Sequence, residues 1–106
     1  MLIHNLETWS VTSAGEKNIK LVNNSTGDRV VSVMYINPLS DCDITVKGFV
    51  SDDDTSGIEL KCVDIANLSK VDAIESAGNY MFVVEPYYKV NISVSGTADI
   101  LIKALN

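Results

Sequence analysis

Basic residues are scarce in this chain. Eight Lys and Arg stand against fourteen Asp and Glu, giving a formal net charge of −6 and an isoelectric point near 4.5. Nucleic-acid binding needs clustered cations to neutralise phosphates, so no nucleic-acid partner is expected. Histidine occurs once, at His4. A lone imidazole cannot build a multi-histidine metal site and finds no convincing Ser or Cys nucleophile beside it, so His4 reads as an exposed or strand-end residue. No apolar run approaches the ~20 residues of a membrane-spanning helix. The start, MLIHNLETWS, lacks the basic region and apolar core of a secretory signal. No membrane association and no export by the general route are therefore expected.

Cysteine is equally sparse, at Cys42 and Cys62. If CDITVKGFV and GIELKCVDI form a hairpin with Lys47 opposite Glu59, Cys62 falls opposite Ile44. Cys42 is then only diagonal to Cys62, at ~7 Å or more, a strained geometry for a disulfide. Both are expected to be free core or near-core thiols, as in a protein made in a reducing cytoplasm.

What the chain does contain is short alternating runs separated by Gly, Asn, Asp, Ser and Pro clusters. The clusters SAGE, NNSTGD, NPLSD, SDDDTSG, ESAGN and SGT can supply the positive φ or local hydrogen bonding of tight turns. The runs between them predict strands over Leu6–Thr12, Lys17–Val22, Arg29–Ile36, Asp43–Val50, Ile58–Val63, Val71–Ile74, Tyr80–Glu85, Lys89–Val94 and Ala98–Ala104. Between Ile65 and Ala77, Leu68, Val71 and Ile74 have helix-like spacing that Ser69 could cap, but the stretch is short and a loop with a brief strand is favoured. Residues 1–106 are thus expected to form one all-β domain. Its architecture is an antiparallel two-sheet sandwich, jelly-roll-like, of about eight or nine short strands.

The stretch from Gly78 to Leu105 is the richest in strand formers. Val90, Ile92 and Val94 share one face, opposite Lys89, Asn91, Ser93 and Ser95, as in a half-buried strand. Beyond the Ser95-Gly96-Thr97 turn, Ala98, Ile100, Ile102 and Ala104 continue the apolar face, while Leu101 and Leu105 make the other face partly apolar too. Met81 to Val84 is an unbroken apolar run, which suits a strand covered on both sides. A small sandwich has few such positions, so a partner chain is expected to supply the second cover.

Candidate sites are few. Asp52, Asp54 and Ser56 stand at positions one, three and five of an acidic loop with Gly57 at six, as in the first half of a calcium loop. The closing acid is missing, because position twelve is Val63, and the strand pattern starts directly after Gly57. A hairpin turn with solvated carboxylates is the expectation, and a calcium site would need Asp41 or Asp43 to complete it. Neither catalytic residue nor cofactor is identified: sequence spacing cannot place two of the chain's carboxylates across a cleft. Trp9, Tyr87 and Tyr88 could stack on sugar rings or anchor an interface, although aromatics at strand spacing more often belong to a core. Asn-x-Ser/Thr triplets at Asn23, Asn24, Asn67 and Asn91 are incidental without a secretory signal.

The order of elements resembles the small β-sandwich virion proteins of tailed bacteriophages. The likeness runs from Arg29 to Leu105: VKGFVSDDDTSGIEL in place of a strand, Asp-Gly turn, strand element; Ala77-Gly78-Asn79-Tyr80 as a corner; then Tyr88, Lys89, Val90, Ile92 and Val94 matching a Y-K-V-x-I-x-V strand. The arginine usual inside that strand is absent, Asn91 being the nearest polar residue, so no role of it transfers. The resemblance implies a capsid decoration, head-fibre or tail-associated protein that works by assembly, located in the virion after synthesis in the host cytoplasm. A homo-oligomer, trimer or dimer, and other virion proteins are the expected partners. Leu101, Lys103 and Leu105 are the expected contact residues. The alternative is a glycan- or receptor-binding module of a phage or bacterial surface, using Trp9, Tyr87 and Tyr88.

Overall fold

The computed structural model describes residues 3–21, 31–85 and 87–105, with the side chains of residues 3–7 and 105 left aside. It contains ten strands and, among the described residues, no helix. They are β1 (Ile3–Val11), β2 (Gly15–Lys20), β3 (Val33–Pro38), β4 (Asp43–Phe49), β5 (Ile58–Glu59), β6 (Cys62–Asp64), β7 (Ser69–Val71), β8 (Tyr80–Val83), β9 (Lys89–Ser95) and β10 (Ala98–Leu105). A six-stranded sheet has the order β1-β10-β3-β8-β6-β7, and a four-stranded sheet has the order β2-β9-β4-β5. Every pairing between named strands is antiparallel. Without the β6–β7 hairpin the sheets read β1-β10-β3-β8 and β2-β9-β4-β5. That is the double Greek-key wrapping of a jelly roll, in which consecutive strands, apart from the β4–β5 hairpin, alternate between sheets across the core.

The alternation that predicts the strands also builds the core. Val90, Ile92 and Val94 of β9 face inward, as do Ile100, Ile102 and Ala104 of β10, Met34 and Ile36 of β3, Ile44 and Val46 of β4, and Phe82 of β8. No polar or charged side chain is buried among the described residues. Both cysteines are free and buried, as the sequence implies. Burial pushes both thiols up, Cys62 to about 11, with nearby carboxylates adding to the effect: Asp43 and Asp41 at Cys42, Asp64 at Cys62.

Two local expectations change, the hairpin register and the strand over Val71–Ile74. Lys47 does sit opposite Glu59, but the hairpin ladder stops there, and Cys62 does not face Ile44. Leu60 donates its N–H to the Val46 carbonyl at 2.8 Å. Lys61 then carries the chain over the sandwich edge, so β5 and β6 lie in different sheets. Leu60 and Cys62 are both buried, and crossing between sheets lets each turn into the core. The place opposite Ile44 goes to Ile74, which exchanges N–H···O bonds with it at 2.9 and 3.2 Å. The strand expected over Val71–Ile74 is correspondingly displaced to Ser69–Val71, followed by that bridge. Its turn passes through Leu68 at φ 54, with the side chain 82% exposed. The run Met81–Val84 is not covered on both sides within this chain: Phe82 and Val84 are buried, Met81 is half-buried and Val83 is 61% exposed.

The Asn23 to Val30 part of the predicted turn and strand start, Val22 and Pro86 lie outside the described residues.

Candidate functional site

Because strand residues alternate between faces, the pairing registers fix what each sheet shows to the outside. On the larger sheet Lys103 of β10 lies opposite Tyr35 of β3, Tyr35 opposite Met81 of β8, Met81 opposite Val63 of β6, and Val63 opposite Lys70 of β7. This row runs straight across five strands. Tyr35, Met81 and Val63 are half-buried, and the two lysines are exposed. Flanking rows add Leu101 opposite Asn37, and Val33 opposite the exposed Val83.

Two shallow depressions flank the row. One, of about 400 Å³, is lined by Tyr35, Asn37, Ile65, Asn79, Leu101 and Lys103. The other, of about 350 Å³, is lined by Leu60, Lys61, Cys62, Val63, Lys70, Met81, Val83 and Tyr87. The outer face of the larger sheet is therefore apolar along its middle and concave on both sides.

Of the contact residues expected from the sequence, Leu101 and Lys103 line the first depression. Leu105 pairs through its backbone with Val33 and Ile3, while its side chain lies outside the described set. Tyr35, Asn37, Asn79 and Val63 were missed, whereas Met81 belongs to the apolar run Met81–Val84 already expected to need outside cover. Alternation alone could have flagged Tyr35 and Asn37 as outward-facing between Met34, Ile36 and Pro38. Their meeting with β10 and β8 depends on long-range register, which no local pattern encodes.

The aromatic trio is not brought together. Trp9 lies at the far end of the sandwich, beside Gly15, packs against the core and is half-buried. Tyr87 packs on the core at the opposite end of β9, with its ring where a Cβ on Gly48 would lie, 2.7 Å away. Tyr88 donates its N–H to the Phe49 carbonyl at 2.7 Å, and its ring carries the Lys20 ammonium 5.7 Å from its centroid. Tyr80 closes a corner, its hydroxyl donating to the Ser76 carbonyl at 2.9 Å. The adjacent turn is tied to the sheet end by Ala77 N–H donating to the Asp41 carboxylate at 2.9 Å.

The acidic loop satisfies itself. Asp54 accepts hydrogen bonds from the backbone N–H groups of Gly57, Val50 and Ser56 at 3.1 to 3.3 Å. These bonds, Gly57 first, hold its carboxyl below the usual carboxylate range. Lys89 latches Asp52, donating to its carbonyl at 3.2 Å and lying 3.8 Å from its carboxylate. Gly57, at φ 66, is required on two counts: the left-handed backbone, and the Phe49 ring 2.8 Å from where a Cβ would stand. Ser56 donates its hydroxyl to Asp54 rather than turning outward. Both Asp54 carboxylate oxygens are thus engaged by protein donors and Asp52 by Lys89, and no cluster of three His, Cys, Asp or Glu side chains able to hold a metal occurs among the described residues.

No family model matches the chain, and no curated relative matches its sequence. Its fold is similar to that of the SPBc2 prophage-derived protein YomS, with a TM-score of 0.70 over 98% of this chain and 93% of that one, at 10% sequence identity. A Streptomyces albus HEPD, solved with 2-hydroxyethylphosphonate and Fe(II), aligns at a TM-score of 0.46 and 12% identity over 17% of its own length, too slight a likeness to bear on fold or chemistry. The similarity to YomS, nearly end to end, extends the jelly-roll wrapping to a second small protein, one of prophage origin.

Proposed function

We propose that this chain is a non-enzymatic bacteriophage virion structural protein, of capsid decoration, head-fibre or tail-associated type, that acts by oligomerisation and attachment to the particle. The observation that carries the reading is the open apolar band on the outer face of the larger sheet, where Tyr35, Met81, Val63, Leu101 and Val83 lie side by side. Contiguous apolar surface on a small domain marks a place for a partner, and a partner chain covers it in the particle. The end-to-end likeness to a prophage-derived protein supports the phage setting. The excess of acidic residues keeps an assembled particle dispersed. Particles of a phage encoding this chain, purified by density gradient and examined by mass spectrometry, should contain it in stoichiometric amount. Its absence from washed particles would overturn the reading.

A second reading, saccharide binding, moves from the scattered Trp9, Tyr87 and Tyr88 to the depression at Tyr35. There the Asn37 and Asn79 side-chain amides carry no hydrogen bond within the described protein and lie beside an aromatic ring and Lys103. Amides beside a ring suit sugar hydroxyls and a sugar face. NMR titration with N-acetylglucosamine should then shift the Asn37 and Asn79 side-chain amides. Unshifted amides at saturating sugar would remove this reading for that ligand.

A further inference from the structure

The row Lys103–Tyr35–Met81–Val63–Lys70 has a charge order as well as an apolar centre. Neither terminal ammonium has an ion pair or hydrogen bond within the described protein. Other lysines are engaged: Lys61 pairs with Asp72 at 3.3 Å, and Lys89 with Asp52. No carboxylate lies in the row, although the chain carries a net charge of −6. The nearest acid along β10 is Asp99, whose carboxylate already accepts the Ser10 hydroxyl at 2.7 Å. Four inter-strand steps separate the lysines, a span of ~19 Å.

This pattern discriminates between occupants. A second copy laid face to face about a two-fold axis through Met81 would set each Lys103 over the other copy's Lys70, opposing like charges, because the carboxylate near Lys70, Asp72, is already held by Lys61. A surface with an apolar strip between two carboxylates would meet complementary charge at both ends and apolar surface between them. We propose that the row is the docking site of another protein bearing such an acid-bracketed apolar strip, and that a second copy of this chain is not its occupant. The inference rests on the assembly reading and names the chemistry of the partner that covers the face.

The test uses the chain itself as the probe. The double variant Lys70→Glu/Lys103→Glu keeps the apolar centre and places glutamates at both ends. Mixed with the wild-type chain, it should form a 1:1 complex by sedimentation at least about tenfold tighter than the self-association of either chain. The complex should weaken when salt is raised to about 0.5 M. The single variant Lys70→Glu makes the row self-complementary and should dimerise. Both variants change only exposed lysines, and thermal melting checks that they fold. Lys47→Glu, on the other sheet, should leave association unchanged. Wild-type chains that pair with one another as tightly as with the double variant, or a Lys70→Glu chain no more associated than wild type, would overturn the proposal. In particles, loss of the double variant with retention of wild type supports it, whereas equal incorporation overturns it and leaves the assembly reading standing. Absence of wild type from particles overturns the assembly reading instead, and the pairing experiment still decides the chemistry of the row.

Discussion

The two sheets share one core yet present opposite outer faces. On the smaller sheet the central outward row is Asn18, Asn91, Lys47 and Glu59, polar throughout, with the Asn91 amide donating to the Asn18 amide oxygen at 2.9 Å. On the larger sheet the corresponding row is Lys103, Tyr35, Met81, Val63 and Lys70. A sheet with one solvated side normally alternates apolar inside with polar outside, and the smaller sheet does so. The larger sheet departs from that rule only at the centre of its outer face. The inner faces carry the stability of the fold. The outer face of the larger sheet carries apolar surface that the core does not use, and it is this surface that we propose a partner covers.

The comparison can be broken first at the core. Ile92 of the smaller sheet and Ile102 of the larger are both fully buried, so Ile92→Ala and Ile102→Ala should each lower the unfolding free energy by about 2–5 kcal/mol in denaturant titrations. A cost confined to one of them would mean that the two inner faces do not form a single cooperative core. A smaller effect is expected at Gly48. Its missing Cβ leaves room for the Tyr87 ring, which would stand 2.7 Å away. Gly48→Ala should cost about 1–3 kcal/mol, and adding Tyr87→Ala should recover part of it in a double-mutant cycle.

The larger sheet's thiol gives a pH test. Cys62 is held protonated when folded, up to about 11, chiefly by burial. The unfolded thiol ionises first, so stability is intact below about pH 9 and falls as pH rises toward 11, by roughly 1–2 kcal/mol. Cys62→Val should lack that component of the alkaline loss; identical alkaline profiles for the two proteins would refute it. The smallest effect belongs to the loop on the smaller sheet. Asp54 has a lowered folded pKa, so its contribution is present above the ordinary carboxylate range and is lost as pH falls through the lowered value. Its NMR titration midpoint should lie below the ordinary carboxylate range, and Asp54→Asn should loosen the Ser56 and Gly57 amides in hydrogen exchange. A midpoint within the ordinary range would show that the three N–H bonds do not persist in solution.

Much of the fold was legible because alternation is local. Lys89 to Val94 and Ala98 to Ala104 announce strands, core faces and the intervening turn within a few residues, and the structure places both strands there, each one residue longer. Ile58 to Val63 was misread as one strand because its alternation continues unbroken while the chain changes sheet at Lys61. Periodicity records which way a side chain points, not which sheet the backbone joins. Leu101 and Lys103 were visible as outward residues of an apolar strand, and the structure sets them beside Tyr35 and Asn37. The rest of that surface comes from β3, β6, β7 and β8, whose contribution depends on register.

By itself the sequence determined an all-β chain, its turns, and the inward set of Val, Ile and Ala, because each follows from side-chain volume, polarity and a period of two. Only the tertiary structure decided the jelly-roll strand order, the bridge from Ile44 to Ile74 and the row that carries Lys103 and Lys70 at its ends. Those depend on pairings between segments tens of residues apart, fixed by the closing of one shared core rather than by any local preference.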